Sequence, residues 1–183
     1  MKKTVALIIL FLITNLSLTS CSMRGSRLRL LLWDSYELAD DTFDKVVEAV
    51  RSKEVAKLTN LFSETVKNEK DLLQTGTSFV NFVKGDIVSF TSSRDGGVGT
   101  DRQITYGKRR QDVNASIYLK TTEGKYYIAM KECVLDEFDR DNVGIFSLYI
   151  IDSDDWLSEY TFRGDGEWLH GINIIDYPYD GPQ

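Results

Sequence analysis

The sequence predicts an α+β fold, with helices first and an antiparallel sheet after them. Two rhythms carry that prediction. Up to about Val83 the apolar residues recur every three or four positions, the spacing of one helix face. From Val113 onward they alternate with polar ones, the spacing of a strand with one buried side. Helices followed by strands in separate runs build α+β domains rather than parallel α/β ones. Both prolines lie in the last six residues, and no repeat or low-complexity linker divides the chain, so a single domain is the economical reading.

In YELADDTFDKVVEAV, the residues Ala39, Phe43, Val46, Val47 and Val50 line one face of a first helix. Ser52 is placed to cap a short second helix with the face Val55, Leu58, Leu61 and Phe62. A third opens near Asn68 and presents Leu72, Leu73, Phe79, Val80 and Val83, with Gly85 as its stop. Ile87 to Phe90 is a first strand, and the glycine-rich RDGGVGTD, Arg94 to Asp101, reads as a mobile loop between strands. Val113, Ala115, Ile117 and Leu119 alternate with Asn114, Ser116, Tyr118 and Lys120, a half-buried strand. TEGK turns it into a partner carrying Tyr126, Ile128 and Met130, a hairpin. VGIFSLYIID is apolar on both faces and is expected at the centre of the sheet, with Ile172 to Ile175 as the last strand of an antiparallel meander.

The N-terminus has a different character. Lys2 and Lys3 form a positive head, and Thr4 to Met23 carries no charge. Its strongly apolar part, Val5 to Ile13, is nine residues long, which suits a signal-peptide core and falls short of the roughly 20 residues of a bilayer span. The run ends in Leu18-Thr19-Ser20-Cys21, a branched apolar residue, two small ones and a cysteine, which resembles the lipobox of bacterial lipoproteins. The resemblance implies a diacylglyceryl group on the thiol of Cys21 and loss of residues 1–20 as a signal peptide. It also implies a tether over 21–33 and one domain over 34–183, held on the outer face of the cell membrane. An uncleaved N-terminal anchor with an incidental cysteine is the competing reading. With Cys21 acylated, Cys133 has no disulfide partner, and at the end of a strand-like segment it reads as a small half-buried residue rather than a reactive thiol.

Without Lys2 and Lys3 the chain keeps 20 basic residues against 28 acidic ones, a formal charge of −8. Such a domain is poorly suited to nucleic acid. Arg24, Arg27 and Arg29 form a local basic exception beside Cys21, read as a solvated tether.

Three segments, VVEAVRSKEVAKLTNLFS, FVKGDIVSF and DNVGIFSLYIID, carry a further resemblance across residues 40–152. Three helices leading into a curved antiparallel sheet are similar to the nuclear-transport-factor-2-like, cystatin-related cone fold. More closely, the chain resembles an uncharacterised family of small lipoproteins of Gram-positive bacteria with such a domain. That resemblance implies fold and location, with no settled activity. It also implies a pocket between the concave sheet and the helices, which some relatives, the ketosteroid-isomerase-like enzymes, use for acid–base chemistry.

Motifs for chemistry are few. DRDNVG, Asp139 to Gly144, begins like a calcium loop, but Val143 stands at its fifth position and Ile150 at its twelfth, where a bidentate Glu is needed. It reads as an acidic turn before a strand. RDGGVGTD lacks the Gly-Lys-Ser/Thr end of a phosphate loop. The single histidine, His170, excludes a zinc site built on several imidazoles, and no cysteine pair replaces them. Nothing marks a nucleophile for His170 to activate, and it is expected at the start of the last strand.

The sequence therefore calls for no metal and no cofactor. Glu132 is the one odd carboxylate, sharing a strand face with Tyr126, Ile128, Met130 and Val134. The acidic run KECVLDEFDRD after it favours a side chain leaving the sheet for solvent; turned inward, Glu132 would be the candidate acid of the cavity. Nine Tyr, nine Phe and three Trp serve core packing first, with a pocket for an apolar or sugar-like ligand as the alternative. Trp33, Trp156 and Trp168 lie in the less patterned ends. The expected function is that of a membrane-anchored, non-catalytic module for a small ligand or an envelope protein. The alternative is a small isomerase or dehydratase with a carboxylate in the cone.

Overall fold

Helix α1 (Ser35–Ser52) forms where the apolar spacing predicts it, and Ala39, Phe43, Val46, Val47 and Val50 on its inner face are at most 1% exposed. The computed structural model describes residues 34–69, 71–152 and 168–175. The expected signal peptide 1–20, Cys21, the expected tether with its three arginines, Trp33, Trp156 and most of the 152–171 stretch lie outside the described residues.

The rest of the helical half is more broken than its pattern suggests. Ser52 does not cap the next helix; its hydroxyl donates back to the Glu48 carbonyl at 2.9 Å, and Lys53 turns the chain with φ 55°. Helix α2 is only Val55–Thr59, so Leu61 and Phe62 lie beyond it, with Phe62 bridging to Ile145. A one-turn helix α3 (Glu64–Lys67) follows, capped by Ser63, and Asn68 ends it rather than opening the third helix. Helix α4 (Leu72–Phe82) starts after Asp71 and leaves Leu73 65% exposed, off the predicted face.

The fold is α+β: these N-terminal helices stand with an open six-stranded sheet that is antiparallel but for one pair. The strands are β1 (Ile87–Phe90), β2 (Val98–Thr105), β3 (Lys108–Thr121), β4 (Lys125–Asp136), β5 (Gly144–Asp152) and β6 (Gly171–Ile175). Their order is β1-β3-β4-β5-β6, with β2 also paired to β3.

Two corrections to the sequence reading stand out. The predicted loop Arg94 to Asp101 is a single helical turn, Ser93–Gly96, running into β2. β2 pairs with β3 from Val98 opposite Ala115 to Thr105 opposite Lys108. The two strands join through Tyr106 (φ 50°) and Gly107 (φ 76°), a pair of left-handed residues suited to the primed turns that match strand twist. Secondly, β6 runs parallel to β5, Ser147 opposite Gly171. A parallel pair needs a crossover of a dozen or more residues, and the 18 residues between Asp152 and Gly171 provide that length.

The core follows from the alternation. Val113, Ile117, Ile128, Met130, Leu148 and Ile150 share one fully buried cluster with the inner face of α1. On the opposite face Tyr127, Ala129, Tyr149, Ile151 and Ile175 form a second cluster, with Trp168 packed against it. β5 therefore has both faces covered, as its apolar sequence predicts. Bulges at Val134 in β4 and Phe146 in β5 interrupt the ladders and add local twist.

Candidate functional site

Glu132 does not leave the sheet. Strand β4 keeps its pairing to Asp136, and the register holds Glu132 between Val113 and Ile145, both 0% exposed. Its side chain turns toward α1, where the Thr42 hydroxyl donates to Oε2 at 2.8 Å. The solvent-facing reading is thereby corrected: the acidic run begins before the strand ends, so composition misplaced the exit point. Burial pushes the Glu132 carboxyl up from 4.5 to about 7, with Asp41 adding to the rise and the Thr42 hydroxyl and Lys45 opposing it. Lys45 is held to Asp41 at 2.6 Å one helical turn apart. The result is a proton-holding group at the seam of helix and sheet.

Glu132 stays partly exposed beside a closely buried core. Phe43, Val46, Met130, Leu148 and Ile145, all 0% exposed, belong to the same continuous core on that face of the sheet.

Other carboxylates and the thiol have structural work. Asp136 accepts from the Phe138 and Asp139 amides at 2.8 and 3.0 Å and from the Asn142 amide at 3.1 Å, with the Arg110 guanidinium 3.5 Å away. Burial works against its ionised form, but these donors together hold its carboxyl below the usual range. Asp139 caps the 3-10 turn Arg140–Asn142 by accepting from the Asp141 amide. The calcium-like run is thus a capped turn entering β5. Cys133 is 2% exposed, its thiol 3.5 Å from the Leu135 carbonyl. Burial and the neighbouring Asp112 push that thiol up to about 12. His170 immediately precedes β6; its Nδ1 lies 3.1 Å from the Glu69 carboxylate and its ring packs edge-on to Phe146.

An open cleft of about 320 Å³ lies on the other face of the sheet, over the second cluster. Residues 96–99 form one wall, Asn114, Ser116, Tyr127 and Ala129 the floor, and Trp168 lines it from the approach to β6. The wall is set by Asp40 of α1, which accepts from the Ser93 amide at 2.7 Å and the Ser92 hydroxyl at 2.8 Å. It seats close against β3: the Ser116 hydroxyl donates to the Gly96 carbonyl, and a Cβ on Gly96 would fall 1.9 Å from the Ser116 carbonyl oxygen. Gly97, at φ +99°, has open space where a Cβ would stand, so the bare backbone faces the cleft. Every lining residue is uncharged. The sequence reading missed this site because its parts are far apart in the chain. The only signals were the glycine cluster and Trp168, and neither points to the other.

A family model described as a domain of unknown function, DUF5104, matches residues 45–153. The chain belongs to the DUF5104 family. No curated protein matches it. The DUF5104 span runs from the middle of α1 to the end of β5, so it contains Glu132 and all of the cleft lining but Trp168. Thr42, the partner of Glu132, also lies outside it, as do Cys21 and His170. The family description assigns no activity.

Proposed function

We propose that this DUF5104 protein is a lipid-anchored, extracytoplasmic binding module, held on the outer face of the cell membrane by acylated Cys21. Its ligand sits in the outer-face cleft without chemical change. The finer likeness to small Gram-positive lipoproteins with a nuclear-transport-factor-2-like domain belongs to this reading. The observation that carries it is the cleft itself: a concave site of 320 Å³ whose described lining is uncharged and includes Trp168 and the exposed Asn114, within the size range of small-molecule sites. The residues described in it include no acid, base or nucleophile of the ordinary kind apart from hydroxyls already engaged with neighbours.

The anchor is tested by Cys21→Ala in the native host. Release from the membrane fraction, or accumulation of the unprocessed chain, is expected. A membrane-bound chain of mature size would refute the lipidated cysteine.

One observation favours a second reading. The Glu132 carboxyl, lifted to about 7 and bonded to Thr42, has the proton affinity of a general acid–base in an isomerase or dehydratase. The packed core around it favours the binding reading, since a substrate would have to displace fully buried side chains.

A further inference from the structure

The cleft has a lining that selects among ligand chemistries. Among the described residues no charged side chain lines it, so these residues offer an anion or cation no counter-charge. The glycine wall carries no side chain and its peptide groups are engaged: the Gly97 amide donates to the Ser93 carbonyl at 2.8 Å, the Gly97 carbonyl accepts from the Ser116 amide at 3.2 Å, and Gly99 pairs with Asn114 in the β2–β3 ladder, which leaves polar recognition to side chains. Asn114 is exposed, with its side-chain amide against Gly99, where a Cβ would lie 2.5 Å from Oδ1. Among the described residues its amide makes no side-chain hydrogen bond, which leaves a donor and an acceptor for a ligand. Trp168, partly exposed, borders the cleft, with Tyr127, 9% exposed, in the floor beside it. Trp168 is braced edge-on by Tyr149 at 5.8 Å, and Tyr127 by Tyr118 at 5.3 Å. Braced rings bind at low entropic cost, and their electron-rich faces suit polarised C–H groups.

We propose that the cleft binds a neutral saccharide. One face of a sugar ring, with its C–H groups, would lie against the Trp168 indole beside the glycine wall, while its hydroxyl or acetamido groups meet the Asn114 side chain. The cleft opens to solvent, so a chain of sugar units can run past it. This inference rests on the binding-module reading and gives its ligand a chemical class: a glycan of the envelope outside the membrane.

The test uses the full processed chain in phospholipid nanodiscs free of sugar detergents, titrated calorimetrically with the tetramer of N-acetylglucosamine and, separately, with 1-aminoanthracene as an apolar probe. Saturable tetrasaccharide binding is expected, weakened about tenfold or more by Trp168→Ala and several-fold by Asn114→Ala, with melting temperatures checked for each. Asn114 is an exposed position, so that variant decides the matter should the tryptophan variant fail to fold. Tetrasaccharide binding that both folded variants retain would overturn the assignment to this cleft. Binding of the apolar probe alone overturns the saccharide and leaves the binding-module reading standing. Binding of neither ligand overturns both.

Discussion

Replacing Glu132 by Gln should convert a pH-dependent stability into a flat one. Burial at the α1–sheet seam lifts the carboxyl from 4.5 to about 7. Between those values the folded protein keeps a proton that the unfolded chain has lost, so the unfolded state binds fewer protons and stability falls as pH rises. The slope is about 1.4 kcal/mol per pH unit, which over the interval gives about 3 kcal/mol. The carboxylate cost is absent below the unfolded value and complete above the folded one. Gln keeps the size and an oxygen to accept from the Thr42 hydroxyl, 2.8 Å away in the wild type, and does not titrate. Urea unfolding of both proteins at half-unit steps from pH 4 to pH 8.5 should therefore show wild type losing ground to Glu132→Gln. The loss corresponds to about 6–12 °C in melting temperature for a domain of this size. The change with pH is the diagnostic, because a constant offset reflects only amide packing. Removing the Thr42 donor with Thr42→Val should move the fall to higher pH, since that hydrogen bond favours the ionised form. Stability curves that stay parallel for wild type and Glu132→Gln would refute a desolvated carboxyl and, with it, the acid–base reading of this residue.

Cys133 should resist iodoacetamide at pH 8 in the native protein and react once the chain is unfolded, because its buried thiol is pushed up to about 12; mass mapping of the modified peptide checks this. Asp136→Ala removes the acceptor for two backbone amides and the Asn142 side chain, and should cost about 1–3 kcal/mol in denaturant unfolding at pH 7. Its folded value is depressed, so its contribution is present above the unfolded carboxyl range and is lost as pH falls through the folded value; the gap between wild type and variant should close on acidification. Gly96→Ala places a Cβ 1.9 Å from the Ser116 carbonyl oxygen, and amide resonances of residues 96–99 and 114–116 should shift more than those of α4.

How much of this was legible in the sequence depends on the range of the forces involved. The inner face of α1, the alternation of β3 and β4 and the two-sided burial of β5 are written in local periodicity, and the structure repeats them. Strand β2 was hidden because VGTDRQIT is polar and glycine-containing, with most of its residues exposed; only its pairing with β3 makes it a strand. The direction of β6 was hidden because direction depends on where a connection of 18 residues returns, which periodicity does not encode. Glu132 was flagged as odd from its position on an apolar face, but composition sent it to solvent; the pairing of β4 as far as Asp136 keeps it inside. The cleft joins residues 96–99 and 114–116 with Tyr127, Ala129 and Trp168, which no local pattern links.

The parallel seam between β5 and β6 bears on where the domain can be cut. The family match stops at residue 153, before β6 is reached. A fragment trimmed to that span would keep β5 but strip the strand hydrogen-bonded along residues 147–151, and with it Ile172 and Ile175 from both apolar faces. What remains is an apolar strand with an open row of peptide groups, the surface from which sheets grow from one molecule to the next. The same holds during synthesis, when β5 emerges before its neighbour. The C-terminal strand thus acts as a seal on the growing end of the sheet, and the smallest well-behaved piece of this protein extends at least through Ile175.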